Sequence, residues 1–150
     1  MNDCIDKLPA GVMIVDHEHK IIDANTHCER ILGYSVEELI GKCVHDLVPE
    51  DKRAKHITAS VDFMKHPSEK RLGIGRDLCG LHKEGHVVPI EISLTPMNGK
   101  VLVTMIDISI RQKVQEIHAK LEKLTGVLTS TVSAIKEVTG GSDENADQSK

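Results

Sequence analysis

The chain has 150 residues, 39% hydrophobic and 28% charged, a balance that suits one folded domain with a short extension and excludes global disorder. Its formal net charge is -4 with 9 histidines counted neutral, so no basic field invites nucleic acid or an anionic membrane. No apolar run is long enough to span a bilayer, and Tyr34 and Phe63 are too few to build base-stacking platforms.

The start, Met1-Asn2-Asp3-Cys4, has neither a basic flank nor an apolar stretch, so no signal peptide is expected and the expected location is the cytoplasm. Cys4, Cys28, Cys43 and Cys79 are scattered without a C-x-x-C pair, which reads as reduced thiols rather than structural zinc. Gly11 to Asp16 and His19 to Ala24 read as two short strands joined by a polar turn. Asn25-Thr26 then offers an N-cap for a helix that Gly33 ends. Ser35-x-x-Glu38 is a capping-box pattern for a second short helix closing near Gly41. Asp51 opens a longer helix to about Lys65, stopped by Pro67.

The second half changes period. Leu72, Ile74, Arg76 and Leu78 share one strand parity; so do Val88, Ile90, Ile92 and Leu94. Val101 to Ile106 is a β-branched apolar run, and Asn98-Gly99 before it is a hairpin signal. These three strands form an antiparallel meander, giving an α+β class. After Asp107, the residues Ile110, Val114, Ile117, Leu121, Leu124 and Leu128 step by four and three, and Ile135 and Val138 close the seam. The domain expectation is a sheet domain over 6–109, an amphipathic coiled-coil helix over 110–138 and a polar, disordered tail over 139–150.

Several stretches carry a family likeness. Leu8-Pro-Ala-Gly-Val-Met-Ile-Val-Asp16, Ile22-Asp-Ala-Asn25 and Leu32-Gly-Tyr-Ser-x-Glu-Glu-Leu-Ile-Gly41 resemble the first half of a PAS sensory domain. Lys83-Glu-Gly-His-x-x-Pro-Ile-Glu-Ile-Ser-Leu94 resembles its late hairpin, and Asp107-Ile-Ser-x-Arg111 its junction with an output helix. The likeness runs from about Asp6 to Arg111 and implies a five-stranded antiparallel sheet with short flanking helices. More locally, Val48-Pro-Glu-x-x-Arg-x-x-His56 and Glu69-Lys-Arg-Leu-Gly-Ile-Gly-Arg76 resemble the haem-binding PAS domains of FixL-type oxygen-sensor kinases. That resemblance implies His56 as the axial ligand of a haem iron and Arg76 as the residue meeting bound oxygen or a propionate. Asp62 stands where the subfamily has a propionate-binding arginine.

Helical geometry, at about 100° per residue, places His56, Ile57, Ser60, Val61, Phe63 and Met64 in one inward arc of about 160°, with Lys55 and Asp62 opposite. An inward His56 needs either a haem iron or a hydrogen-bond partner such as a backbone carbonyl. Arg76, sharing parity with apolar neighbours, points to the cavity face and needs an anion there, unless Gly73 and Gly75 shift the register. Cys43 lies one place early for a flavin-reactive cysteine, so flavin is not expected. His17 and His19 read as an exposed turn rather than a metal pair, and His82 and His86 flank another turn. His118 lacks the acidic neighbour of a phosphoacceptor, and no nucleophile elbow, metalloprotease or kinase motif is present, so no enzyme activity is expected.

The leading reading is therefore a cytoplasmic sensor or adaptor that binds a small ligand or cofactor and relays the signal through its C-terminal helix. Asp107 and Arg111 form the signal junction. The expected partners are a second copy of the chain, or a signalling protein such as a histidine kinase or response regulator. Two alternatives stand beside it: a haem-based gas sensor using His56, and a ligand-free dimerisation module.

Overall fold

In the computed structural model the described residues are 2–73 and 78–148, with side chains described through 138. They form two compact units, Met1–Ser109 and Ile110–Lys150. The first unit opens with a short helix α1 (Asp3–Asp6), followed by strands β1 (Gly11–Val15) and β2 (Ile21–Ala24). Helices α2 (Thr26–Leu32) and α3 (Val36–Leu39), a 3-10 turn (Val44–Leu47) and helix α4 (Glu50–Lys65) come next. Strands β3 (Lys70–Leu72), β4 (Cys79–Leu81), β5 (Val87–Met97) and β6 (Lys100–Asp107) complete it.

The sheet is antiparallel, in the order β2-β1-β6-β5-β3, with β4 also paired to β5. One expectation is corrected here. Residues 74–77 of the strand read from Leu72 to Leu78 lie outside the described residues, and the described parts on either side belong to two short strands: β3 pairs with Ile92–Leu94 of β5 and β4 with Val87–Pro89. Gly73 ends β3 at φ +99, where a Cβ would meet the Ile90 carbonyl oxygen at 2.7 Å, so only glycine suits the break. The sheet thus has five strand positions, one of them split.

Local chemistry sets the boundaries. Asn25 caps α2 by accepting from Cys28 N–H, and Gly33 closes that helix in the left-handed region. Ser35 and Glu38 form the reciprocal capping box of α3. Asn98 and Gly99 take φ 45 and 76, the two positive values of a type I′ turn, and register Met97 against Lys100. Asn25 does more than cap. It is fully buried, and its Oδ1 also accepts from Val12 N–H at 2.8 Å. Its Nδ2 donates to the carbonyls of Ile5 and Ala10, tying α1, β1 and α2 together.

The core lies on the inner sheet face, where Met13 and Val15 of β1, Ile90 of β5 and Val101, Val103 and Met105 of β6 are buried. Each such side chain contributes about 1.5–3 kcal/mol through burial. Helix α5 (Ser109–Gln148) makes up the second unit from Ile110 onward. Its seam residues are exposed, Ile110 at 79% and Leu121 at 55%. Its backbone stays helical to Gln148, past residue 138 where the apolar seam closes; a nucleated helix propagates one hydrogen bond at a time.

Candidate ligand cavity

Between α4 and the inner sheet face lies a cavity of about 760 Å³. Its floor is apolar, supplied by Ile90, Ile92 and Leu94 of β5 and Val101, Val103 and Met105 of β6. Its roof is α4, through Ala59, Ser60, Phe63 and Met64, with Val44 and Leu47 from the 3-10 turn. Lys52, Lys55 and Lys70 also line it, and no Asp or Glu does among the described residues. The cavity exists because α4 buries one side chain, Phe63, along its whole length. A helix with so little apolar surface roofs the sheet without filling the space beneath.

His56 lines this cavity, as the sequence places it. Its partner is not a backbone carbonyl but another histidine: the Nδ1 atoms of His45 and His56 lie 2.9 Å apart. One ring donates and the other accepts, so His56 offers a guest either an Nε2 lone pair or an Nε2–H, according to which ring carries the shared proton. His19 extends the group. Its ring centroid is 4.8 Å from that of His45, and its Nδ1 bonds the Ser60 hydroxyl at 2.8 Å. Burial, then the charges of His45 and His19, push His56 down to about 4, and burial likewise lowers His45. Both imidazoles are therefore neutral at physiological pH.

Three elements bring these rings together. Asp16 Oδ1 accepts from Glu18 and Lys20 N–H, a tight turn that sends His19 to φ 63. Val44 N–H donates to the His19 carbonyl and Lys20 bridges Cys43, fastening the 3-10 turn beside β2. Arg53 then donates through Nε to the His45 carbonyl and through Nη2 to that of Val48. Arg53 and His56 are three apart and share a face of α4. The Pro49-Glu-x-x-Arg-x-x-His56 spacing thus anchors the helix and sets the imidazole against His45.

The remaining expected residues are placed as follows. Arg76 lies outside the described residues. Asp62 is exposed on α4. Asp107 Oδ1 accepts from Ser109 N–H at 2.8 Å and from its hydroxyl, shaping the start of α5, while Arg111 lies on that helix in the second unit. The inward arc of α4 is corrected: Ile57 and Val61 are each 40% exposed and do not line the cavity, while Lys55 does. Long lysine stems cover apolar surface while the ammonium stays wet, which a hydrophobicity pattern does not register. His19, expected exposed, is half-buried, and His45 is buried. Neither was distinguished by sequence, because their elements meet only in the fold. All four cysteines are free thiols; buried Cys28 is pushed up to about 11 by desolvation.

Comparison with known proteins places this geometry. The PAS domain profile matches residues 9–109. The chain belongs to the PAS domain family. It is 26% identical over 142 residues to the sensor protein FixL of Bradyrhizobium diazoefficiens, covering 92% of this chain and 28% of FixL. The chain therefore spans little more than a quarter of that relative. A PAS domain from Colwellia psychrerythraea superposes with a TM-score of 0.57 at 26% identity, over 69% of this chain and 90% of that one. The PAS domain of the Cronobacter turicensis RpfR quorum-sensing receptor, in complex with BDSF, superposes at 0.59 with 14% identity, over 69% and 97%. These matches make the chain a sensory PAS domain of the signal-transduction kind. No described helix is long and apolar enough to cross a membrane.

Proposed function

We propose that this PAS domain takes a small, predominantly apolar ligand into the cavity between α4 and the sheet, and relays its binding through α5 rather than performing catalysis. The carrying observation is the cavity, about 760 Å³ with an apolar floor and a few convergent polar groups, within the range of small-molecule sites. Lys55 and Lys70 on its lining favour a guest with an acidic end. The RpfR receptor domain, of the same fold, is a complex with BDSF. In this reading the chain acts in the cytoplasm, and the exposed seam of α5 pairs with a second copy or with a helix of a histidine kinase or response regulator.

Two measurements test it. The full chain should bind anilinonaphthalene sulfonate one to one, dodecanoate should compete, and Val103→Trp, which fills the cavity from β6, should abolish both. Dye binding unchanged by Val103→Trp overturns the ligand reading. Truncation after Arg111 should leave a folded domain with weakened self-association by sedimentation, and equal dimer fractions would remove the α5 pairing.

One observation favours a second reading. His56 lines the cavity, and in the tautomer whose Nδ1–H donates to His45 its Nε2 lone pair is left for a metal, the arrangement in which a second contact orients a metal-ligating imidazole. A haem held there would supply a gas-binding iron. His56 would hold it, His45 would fix the ring, and Lys55 and Lys70 would meet the propionates. Haemin added to the reduced protein should then give a Soret band that His56→Ala removes, with Arg76→Ala retaining it. Wild-type protein that takes up no haemin ends this reading and leaves the apolar-ligand reading standing.

A further inference from the structure

The β4–β5 turn carries a second cluster of chemistry-bearing side chains that the cavity does not use. We propose that His82, Glu84 and His86 form a zinc-binding site. One ligand atom from each of the three lies within 4.8 Å of the other two. Zinc bound to nitrogen at about 2.0–2.1 Å in a tetrahedron separates its ligands by roughly 3.3 Å, so the ligand atoms close by up to about 1.5 Å and the side chains turn their lone pairs onto the ion.

The backbone builds the cluster. His82 N–H donates to the His86 carbonyl and Gly85 N–H to the His82 carbonyl, both at 2.9 Å, and Gly85 takes φ +94. The two imidazoles therefore face each other across the neck of the turn, stacked with centroids 4.2 Å apart and planes at 18°. Glu84 reaches the same spot, with Oε2 at 4.0 Å from His86 Nδ1. One ligand is already fixed. A Cβ on Gly33 would fall 2.3 Å from His82 Cε1, 2.5 Å from Nε2 and 3.0 Å from Nδ1, so the ring rests edge-on against the α2 terminus. His82 Nδ1 accepts the Glu84 N–H at 3.1 Å, a bond that the ion would replace. The same edge is secured by Lys83, whose N–H donates to the Leu32 carbonyl at 2.9 Å and whose Nζ pairs with Glu38 at 2.6 Å.

Two imidazoles and one carboxylate suit zinc and its neighbours over magnesium or calcium, which take oxygen ligands. A fourth position remains for water. Leu32 and Gly80, adjoining these contacts, both line the cavity, so the ion would stiffen that rim by clamping the turn onto α2.

The test uses the full chain stripped by chelator and titrated with zinc chloride by calorimetry at neutral pH. One ion per chain is expected, unaffected by millimolar magnesium and raising the thermal midpoint. His86→Ala, at an exposed position, should weaken binding at least about tenfold and abolish the thermal shift. Glu84→Gln should weaken it less, and His118→Ala on α5 should leave it unchanged. Wild-type protein that binds no zinc, or binding untouched by His86→Ala or lost with His118→Ala, overturns the site.

Discussion

Two regions of the PAS domain are held together in opposite ways. At the corner of β1, β2 and α2 the side chains of Ile21, Asn25 and Cys28 are fully buried, and Asn25 engages four backbone groups with one amide. Across the cavity α4 buries Phe63 alone, and its polar contacts are a few long side chains and a pair of imidazoles. Both regions satisfy their buried polar groups, but the corner is filled and the space beneath α4 is not. Stability in this molecule is concentrated where no ligand can enter, and the ligand space sits under the element with the least apolar investment, where local motion is easiest.

The largest test of that contrast is Asn25→Ala. It leaves the N–H groups of Val12 and Cys28 and the carbonyls of Ile5 and Ala10 without this partner in a closed site. Each unsatisfied buried group costs about 1–3 kcal/mol, so the expected loss is at least about 3 kcal/mol, read by urea denaturation. A loss below about 1 kcal/mol would show that water replaces the amide and that the corner is not the rigid part.

A matched pair of enlargements compares the regions directly. Val12 and Val103 are both buried, but only Val103 lines the cavity. Val12→Phe should cost about 1–3 kcal/mol through overpacking. Val103→Phe grows into open space and should change stability by less than about 1 kcal/mol, while displacing a cavity-bound dye. Equal penalties in denaturation would mean that the cavity collapses in solution.

These contrasts also explain what could be read in advance. The Asn25 cap on Cys28, Gly33, the Ser35–Glu38 box and Asn98-Gly99 act within a few residues of themselves, so their chemistry is visible in the chain, whereas the bonds of Asn25 to Ile5, Ala10 and Val12 are made only in the fold. The meander was visible for the same reason, since Val88 to Leu94 alternate. The split between β3 and β4 was not, because Gly73 breaks the strand against a carbonyl of β5. The His19–His45–His56 group was half visible. His56 sits on a periodic helix, whereas His19 is delivered by a turn and His45 by a 3-10 segment that the Lys20–Cys43 bridge draws alongside. The cavity left no sequence signal of its own; it is what the thin apolar face of α4 fails to fill.

The imidazoles give the α4 wall its own acid sensitivity. In the unfolded chain His56 titrates near 6.5, and in the fold burial lowers it to about 4. As pH falls through 6.5 the unfolded state takes up the proton first, so stability declines between 6.5 and 4 and levels off below. Neutral His45, lowered by burial and by His19 and Arg53 but raised by Asp46, adds to the decline with the same sign. His56→Gln should lose less stability across that window than wild type when both are denatured in urea at each pH. Parallel curves would show His56 to be solvated in solution.

The smallest expected effect lies at the start of α5. Asp107 is exposed, and its carboxylate accepts from the Ser109 N–H, one of the helical amides with no carbonyl partner within α5. A capping contact of this kind is worth about 0.5–2 kcal/mol, and exposure places this one at the low end. Asp107→Ala should therefore lower stability by about 0.5–1 kcal/mol, with Asp107→Asn restoring most of it because the amide oxygen still accepts. If the junction couples ligand to helix, the same variant should reduce the effect of dodecanoate on self-association while leaving cavity binding intact. A loss of several kcal/mol would instead make Asp107 part of the filled region, and the boundary between the well-bonded and the yielding parts of the chain would have to move past the end of β6.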